Sequence, residues 1–507
     1  MFDLLIGGFS SCLEPFNLLL IFAGTALGIF VGSLPGLSAP MAIIVLLPLT
    51  YSFEALPALL TMIGVYVGTK LGGSFSAILL RTPGTPAGAC TALDGYPMAK
   101  SGRAGEALGY SVIGSTLGGL FSWVVAITCV PLLSMVAMKS GNADIALVGI
   151  LGLVMVTSFI RASMIKGLIG AFLGLLIATV GIDPIDSTER FTFGHYEFLT
   201  GIPFAAVLVG FFGFAVVLSD MGMVGKHSAL LSKSLNLSMP SFKDIYSRID
   251  AVIIGALYGV GVGALPGVGA EASPWMAYGT VRNKSKTPEK FGTGMPEGIL
   301  APEASNNATT GGTMVPMLTL GIPGDSSTAV LLGAMILHGL QPGVTLMRDN
   351  GELVYGILAG LLIATIFMFL IAWKSIRWFI LMLDNDRGWL FPFILLLAVL
   401  GSFSSANNFF PVYIAISVGV IGWILETAKF PVVTIVLGVI LGPIIEQNAR
   451  VALVLDTDGW GTFVSTWPRM IVVALIVALI GWEIYKLVKT NYLTSSTETL
   501  DLETQTK

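Results

Sequence analysis

The chain has 507 residues, 54% of them hydrophobic and only 11% charged, with a mean hydropathy of +0.86. Soluble domains carry about 25% charged residues, so the composition excludes an ordinary soluble domain and points to a bilayer. The net charge of −4 excludes nothing, because in a membrane protein the placement of Lys and Arg carries the information.

The apolar runs predict roughly 10–12 helical passes at about 20 residues per crossing, re-entrant arms included. No run alternates as the strands of an outer-membrane barrel do, so the expected class is an all-α polytopic membrane protein. The amino-terminal stretch holds Asp3 and Glu14 and no Lys or Arg before Lys70, and no cleavable signal peptide is expected. Cys12, Cys90 and Cys129 are widely spaced, which predicts neither a disulfide framework nor a metal site. No cofactor is expected.

From Phe16 an apolar run leads to GIFVGSLPGLSAP (28–40) and a second run ends at Tyr51. Each arm is short for a full crossing, so a helix–break–helix hairpin is predicted. Residues 55–67 follow, then 71–107, a helix broken at Pro83-Gly84 that ends in a polar loop with Lys100 and Arg103. Residues 109–133, 143–160, 165–180 and 201–219 read as plain spanning or core helices. The polar connection 226–250, with Lys226, Lys233, Lys243 and Arg248, divides the chain into halves 1–225 and 251–490. The second half opens with ALYGVGVGALPGVGAEASPWMAYGT (256–280) and a basic loop carrying Arg282, Lys284, Lys286 and Lys290. The next stretch, 297–343, is expected to open twice. The first opening falls at Asn306, Asn307, Thr309, Thr310, Gly311 and Gly312, and the second at Pro323-Gly324 before Asp325, Ser326 and Ser327. Apolar runs at 353–373, 389–403, 410–425, 432–445 and 470–485 complete the membrane part. The tail 491–507 is polar and Ser/Thr-rich, and it is expected to be disordered.

The halves match where the helices break. Gly28, Val31, Gly32, Leu34, Pro35, Gly36 and Ala39 recur as Gly259, Val262, Gly263, Leu265, Pro266, Gly267 and Ala270, an offset of 259 − 28 = 231. Gly72, Pro83 and Gly84 recur as Gly312, Pro323 and Gly324, an offset of 312 − 72 = 240. Two matches in the same order indicate duplication. The first LPG hairpin has only Asp3, Glu14 and Glu54 around it, whereas Arg248 and the Arg282/Lys284/Lys286 cluster flank the second. By the positive-inside rule the two hairpins enter from opposite sides. That is an inverted-topology repeat with broken helices, whose four breaks are expected near the bilayer centre.

Proline removes a donor and glycine permits open dihedrals, so each break frees backbone groups as ligands. The candidate substrate and ion site is therefore Pro35, Gly36 and Ser38; Arg81, Thr82, Pro83, Gly84 and Thr85; Pro266, Gly267 and Gly269; Asn306, Asn307, Thr309, Thr310 and Gly311; and Pro323, Gly324, Ser326 and Ser327. Neutral oxygens at Asn306 and Asn307 suit a transported Na⁺ or a carboxylate; small polar residues also serve as helix–helix glue. Helix N-termini after the Pro-Gly breaks favour an anion, and Arg81 offers a carboxylate a fork. Asp94, Glu271, Glu297, Glu303 and Asp325 are further ionisable groups that are costly at membrane depth. His195, His227 and His338 are too scattered for a metal or a triad, and Arg190 reads as a loop anchor.

At these residues the chain resembles the large membrane subunit of the tripartite tricarboxylate transporters, the TctA family. The matching stretches include residues 28–40, LGGSFSAILLRTPGTPA, LDGYPMAKSGRAGEAL, RFTFG, GVGALPGVGA, and the block from TPEKFGTGMPEGILAPEASNN to ILHGLQPG, within roughly Phe16 to Pro443. The resemblance implies a non-enzymatic carrier of the bacterial inner membrane, taking up a citrate-like di- or tricarboxylate with Na⁺ or H⁺. It also implies a small TctB-like membrane subunit and a periplasmic TctC-like binding protein, with no nucleic-acid partner. Arg81 and the run 65–74 depart from the family pattern beside the expected site, which leaves a different carboxylate open. The residues themselves also leave open a stand-alone carrier for another organic anion or a passive channel. An intramembrane enzyme would need a convergent nucleophile–base pair, which the scattered histidines do not offer.

Overall fold

A computed structural model describes residues 2–34, 37–81, 83–137, 140–159, 164–183, 185–220, 240–266, 269–343, 345–382, 390–455, 459–482 and 485. Pro35, Gly36, Thr82 and Gly267 of the expected breaks lie outside the described residues, as do most of the 226–250 connection and the 491–507 tail.

The described chain is helical apart from a two-residue antiparallel ladder, Gly181–Ile182 with Glu189–Arg190. In order, the helices are α1 (Phe2–Cys12), α2 (Pro15–Ser33), α3 (Ala39–Thr50), α4 (Ala55–Leu80), α5 (Ala92–Met98), α6 (Ala104–Ala137), α7 (Asn142–Phe159), α8 (Met164–Ala178), α9 (Phe204–Val209) and α10 (Ala215–Asp220). The second half adds α11 (Phe242–Tyr246), α12 (Ile249–Gly263), α13 (Gly269–Lys284), α14 (Glu297–Leu320), α15 (Ser326–Leu337), α16 (Leu346–Asp349), α17 (Gly351–Met382), α18 (Leu390–Ser404), α19 (Phe410–Thr427) and α20 (Val432–Leu455). A last apolar helix, α21, spans Trp467–Trp482. Six helices among the described residues are long and apolar enough to cross a membrane. Outward-facing apolar side chains such as Phe172 on α8 and Ile416, Val420, Ile421 and Ile424 on α19 suit a lipid surround.

Two sequence expectations are corrected. Residues 55–67 and 71–80 are not separate pieces: α4 runs unbroken for 26 residues and ends at Arg81, whose φ of 55° is left-handed. Nor does the chain open at Asn306–Gly312. α14 is one 24-residue helix through all of them. The polar side chains serve the helix instead of breaking it, since Thr309, Thr310 and Thr313 donate to the carbonyls of Asn306, Asn307 and Thr309 at 2.6, 2.6 and 2.9 Å. Buried among its neighbours, α14 satisfies its backbone groups by continuing as a helix. The real interruption comes at Gly321, with φ 71°, followed by Pro323-Gly324.

The duplication is visible in the packing. Gly24, Gly28 and Gly32 of α2 lie against the carbonyls of Thr61, Val65 and Thr69 on α4, so close that a Cβ would collide with them. Gly64, Gly68 and Gly72 return the contact against Ile21, Thr25 and Ile29. In the second half Gly255, Gly259 and Gly263 of α12 meet Ala301, Ser305 and Thr309 of α14. The glycines are shifted by 255 − 24 = 231 and their partners by 301 − 61 = 240, the offsets found in the sequence. Small residues let backbones approach where lipid supplies no driving force between helices.

α4 and α14 cross antiparallel. Tyr66 meets Thr313, Lys70 meets Thr309 and Ser74 meets Glu303, one number rising as the other falls. The two equivalent helices of the repeat therefore run in opposite directions. Glu54, at the start of α4, lies at the end of the molecule opposite Glu297 at the start of α14. Beside Glu297 sits Arg248, 3.0 Å away, in a rim that also holds the Arg103–Glu106 pair.

Candidate functional site

Where α4 crosses α14, burial is almost complete and polar side chains converge. Lys70 is the only ionisable Lys, Arg, Asp or Glu within α4, and it is 4% exposed. Its ammonium lies 3.3 Å from Asp325 Oδ2 and 3.3 Å from Thr309 Oγ1. Asp325 comes from the second break, where it caps α15 by accepting from Thr328 N at 2.8 Å. Its other oxygen also accepts from the Tyr66 hydroxyl at 2.8 Å, and that hydroxyl lies 3.0 Å from Thr313 Oγ1. An interior charge costs several kcal/mol after relaxation unless it is paired and hydrogen-bonded; here each member of the pair has at least one further polar partner.

The first break is built on the same plan without the charge. Thr85, which matches Asp325 at the offset 325 − 85 = 240, caps a 3₁₀ turn by accepting from Gly88 N at 3.3 Å. Gly84 N donates to Gly73 O at 3.1 Å, and a Cβ on Gly84 would strike the carbonyl of Gly32, as one on Gly324 would strike that of Gly263. Both break loops are thus held against the tip of the neighbouring glycine helix. Pro83 is half-buried next to Gly84; Pro266 is buried at the tip of α12, and Gly269 opens α13. Ser38 caps α3 from a half-buried position, accepting from Met41 N at 3.4 Å.

Asn306 and Asn307 lie in this core at 0% and 1% exposure. Asn306 Nδ2 donates to Lys70 O at 3.1 Å. Among the described residues Asn306 Oδ1 and both amide atoms of Asn307 have no hydrogen-bond partner, nor does the adjacent Ser305 Oγ. Orphaned buried amides are uncommon and each calls for an explanation. Two unpartnered oxygens and an N–H₂ on successive residues supply donors and acceptors of the kind that suit a carboxylate, a hydroxy acid or a weakly held Na⁺. Thr310 and Gly311 are buried in the same helix, Gly311 against the backbone of Ser122. Ser327 is buried and Ser326 half-buried in the first turn of α15.

Arg81 stands apart from this cluster. It is exposed, with its guanidinium 5.7 Å from the centre of the Tyr96 ring. The cation at the crossing is Lys70, which the sequence reading passed over. A lone Lys midway along an apolar helix was a usable signal. Tyr66 carried none, because an aromatic in an apolar helix is unremarkable.

A second polar knot lies on the same crossing. Glu303, fully buried, accepts hydroxyl hydrogen bonds from Ser74, Thr91, Ser111 and Ser115. Nearer the basic rim, the Asp94 carboxylate accepts from Gly292, Gly294 and Met295 N at 2.8–2.9 Å and from Tyr278 Oη at 2.9 Å.

A cavity of about 700 Å³ lies between α7, α8, α20 and the loop after α15. Asn142, Thr200, Gln341, Thr345, Gln447 and Asn448 give it a polar lining, and Leu320 and Ile336 carry its wall to the ends of α14 and α15. Beside it Arg190 does anchor its loop, contacting Glu446 at 2.5 Å and Asp183 at 3.2 Å. The N–H groups of Asp186 and Ile185, with Arg450, hold the Asp183 carboxyl well below the usual range.

The model of the Tripartite tricarboxylate transporter TctA family matches residues 18–437. An uncharacterized 52.8 kDa protein in the TAR-I ttuC' 3' region of Agrobacterium vitis is 35% identical over 459 residues, covering 90% of this chain and 91% of that protein. An uncharacterized protein in the TAR-II ttuC' 3' region of the same organism is 34% identical over 189 residues, 37% of this chain and 78% of that protein. No solved structure matches the chain.

Proposed function

Because the chain belongs to the tripartite tricarboxylate transporter TctA family, a family of multi-pass membrane transporters, we propose that it imports a di- or tricarboxylate with Na⁺ or H⁺. It acts as the permease of a complex with a small TctB-like subunit and a periplasmic TctC-like binding protein, in the bacterial inner membrane. The observation that carries this reading is the buried Lys70–Asp325 pair beside the unpartnered Oδ1 of Asn306 and the unpartnered amide of Asn307. A substrate carboxylate competes with Asp325 for the Lys70 ammonium and takes the Asn307 amide as a second contact. The positive end of the α15 dipole, at the second break, adds to the attraction for an anion. The cavity of about 700 Å³ is within the size range of small-molecule sites and serves as a vestibule.

The halves 1–225 and 251–490, joined by 226–250, sit with opposite orientation in the bilayer, the basic rim inside. Single cysteines at Ser52 and Asn283 then react with membrane-impermeant reagents from opposite sides, and reaction from one side alone would contradict the inversion. The function itself is tested by uptake of labelled citrate, and then other di- and tricarboxylates, into vesicles holding the chain and its small subunit. Uptake is expected only with the binding protein and an ion gradient. Asn307→Ala lowers it by about tenfold or more, the loss of one buried polar contact worth about 1–3 kcal/mol. Normal uptake by a well-expressed Asn307→Ala protein would remove Asn307 from the site.

A further inference from the structure

We propose that Glu303 is the proton-carrying group of this transporter, so that carboxylate uptake is coupled to H⁺. The proposal rests on the carrier reading above and adds the identity and the seat of the coupling ion.

Glu303 is 0% exposed. Its Oε1 accepts from Ser74 Oγ at 2.5 Å and from Thr91 Oγ1, and its Oε2 from Ser111 at 3.0 Å and Ser115 at 2.8 Å. None of the ion pairs among the described residues includes it. A carboxylate taken from water without a cation is costly, so a cage built for a permanent anion would be expected to hold Arg, Lys or backbone N–H groups. This cage holds four hydroxyls. A hydroxyl can donate or accept, and its hydrogen rotates to suit. The same four groups can donate to the ionised carboxylate and, after one of them turns, accept from the neutral acid. Both protonation states are satisfied without moving a helix, as a group that loads and unloads a proton requires.

The surroundings distinguish Glu303 from every other acid nearby. On α4 the neighbour is Lys70, one turn before Ser74, already neutralised by Asp325. Beside Thr91 are Cys90, whose thiol points to Pro274 O, and Asp94, whose carboxylate accepts from three backbone N–H groups and the Tyr278 hydroxyl and shares none of these donors with Glu303's cage. On α6 Tyr110 precedes Ser111, but its hydroxyl is held by Asp244. Glu303 also lies between the substrate centre and the basic rim. Ser74 is one turn beyond Lys70 on α4, Asn307 is one turn beyond Glu303 on α14, and the start of α14 at Glu297 is about 9 Å away at 1.5 Å per residue. The transfer is proton exchange alone. The carboxylate takes H⁺ from hydronium on the outer side, leaving water, and the acid returns H⁺ to water on the inner side, with no redox partner.

Glu303→Gln keeps the shape and the hydroxyl contacts but cannot exchange a proton. The test uses the chain with its small subunit in vesicles, with citrate-loaded binding protein outside and an inward gradient of one pH unit. Such a gradient stores about 1.4 kcal/mol, or about tenfold accumulation for each coupled proton. The wild type is expected to accumulate citrate in response to the gradient, while Glu303→Gln accumulates none yet still exchanges labelled for unlabelled citrate at equal pH. Full gradient-driven accumulation by Glu303→Gln, or a wild type that answers to Na⁺ and ignores pH, would overturn the coupling proposal and leave the carrier reading standing. Absence of citrate exchange and of exchange of other carboxylates in the wild type would overturn both. An infrared titration of the purified complex gives a readout independent of transport: a carboxylic-acid carbonyl band that Glu303→Gln lacks is expected, and identical spectra would sink the proposal.

Discussion

Lys70→Ala abolishes uptake and destabilises the protein by about 3–5 kcal/mol, the cost of stranding one member of a buried ion pair. The expectation follows from the position of Asp325, 9% exposed and left with the Tyr66 hydroxyl and its own helix cap once the ammonium is gone. The stability loss and the transport loss separate in the double variant Lys70→Met, Asp325→Asn. Removing both charges of a buried pair is often neutral or stabilising, and Asn caps a helix about as well as Asp. The double variant therefore melts near the wild type in detergent but takes up no carboxylate, having no cation to offer. If the double variant transports normally, the pair is scaffolding.

Gly28→Leu prevents folding in the membrane. A Cβ at Gly28 would meet the carbonyl and Cα of Val65, backbone atoms that cannot turn aside as a side chain can. Overpacking a core costs about 1–3 kcal/mol when side chains give way. Here α2 would have to lift off α4, breaking the contacts of Gly24 and Gly32 as well. Gly259→Leu has the same effect in the second half, where Ser305 O takes the place of Val65 O. Gly261→Leu is the control: nothing lies within 4 Å of its Cβ position, so it leaves stability within about 0.5 kcal/mol. Detergent-solubilised yield and size-exclusion profile measure the contrast. Equal yields from Gly28→Leu and Gly261→Leu would mean that the close helix approach is not required.

The duplicated glycines and prolines made the repeat readable in the sequence, because a close helix approach and a break each demand one residue type at one place. The breaks at Pro83-Gly84 and Pro323-Gly324 were legible for that reason. The run Asn306–Gly312 was misread by the same logic. A run of small polar residues in a bilayer resembles an opened helix lining a cavity, whereas here α4, α6 and α12 enclose the helix and its threonines bond to its own carbonyls. The centre of the proposed site was hidden differently. Lys70 and Asp325 are 325 − 70 = 255 residues apart, and nothing local pairs them. Only the antiparallel crossing of α4 over α14, a consequence of the inversion, places the second break beside the middle of α4. Glu303 was visible as an ionisable group in an apolar setting, but its four hydroxyl partners come from three separate segments and leave no pattern in one.

The most direct test of the Lys70–Asp325 centre is calorimetric titration of the purified complex with citrate and a panel of di- and tricarboxylates. The wild type is compared with Lys70→Met, Asp325→Asn. Binding of at least one of these acids by the wild type, lost in a double variant that melts at the same temperature, is the expected result. Equal binding by both proteins would contradict it and move the carboxylate site away from this ion pair.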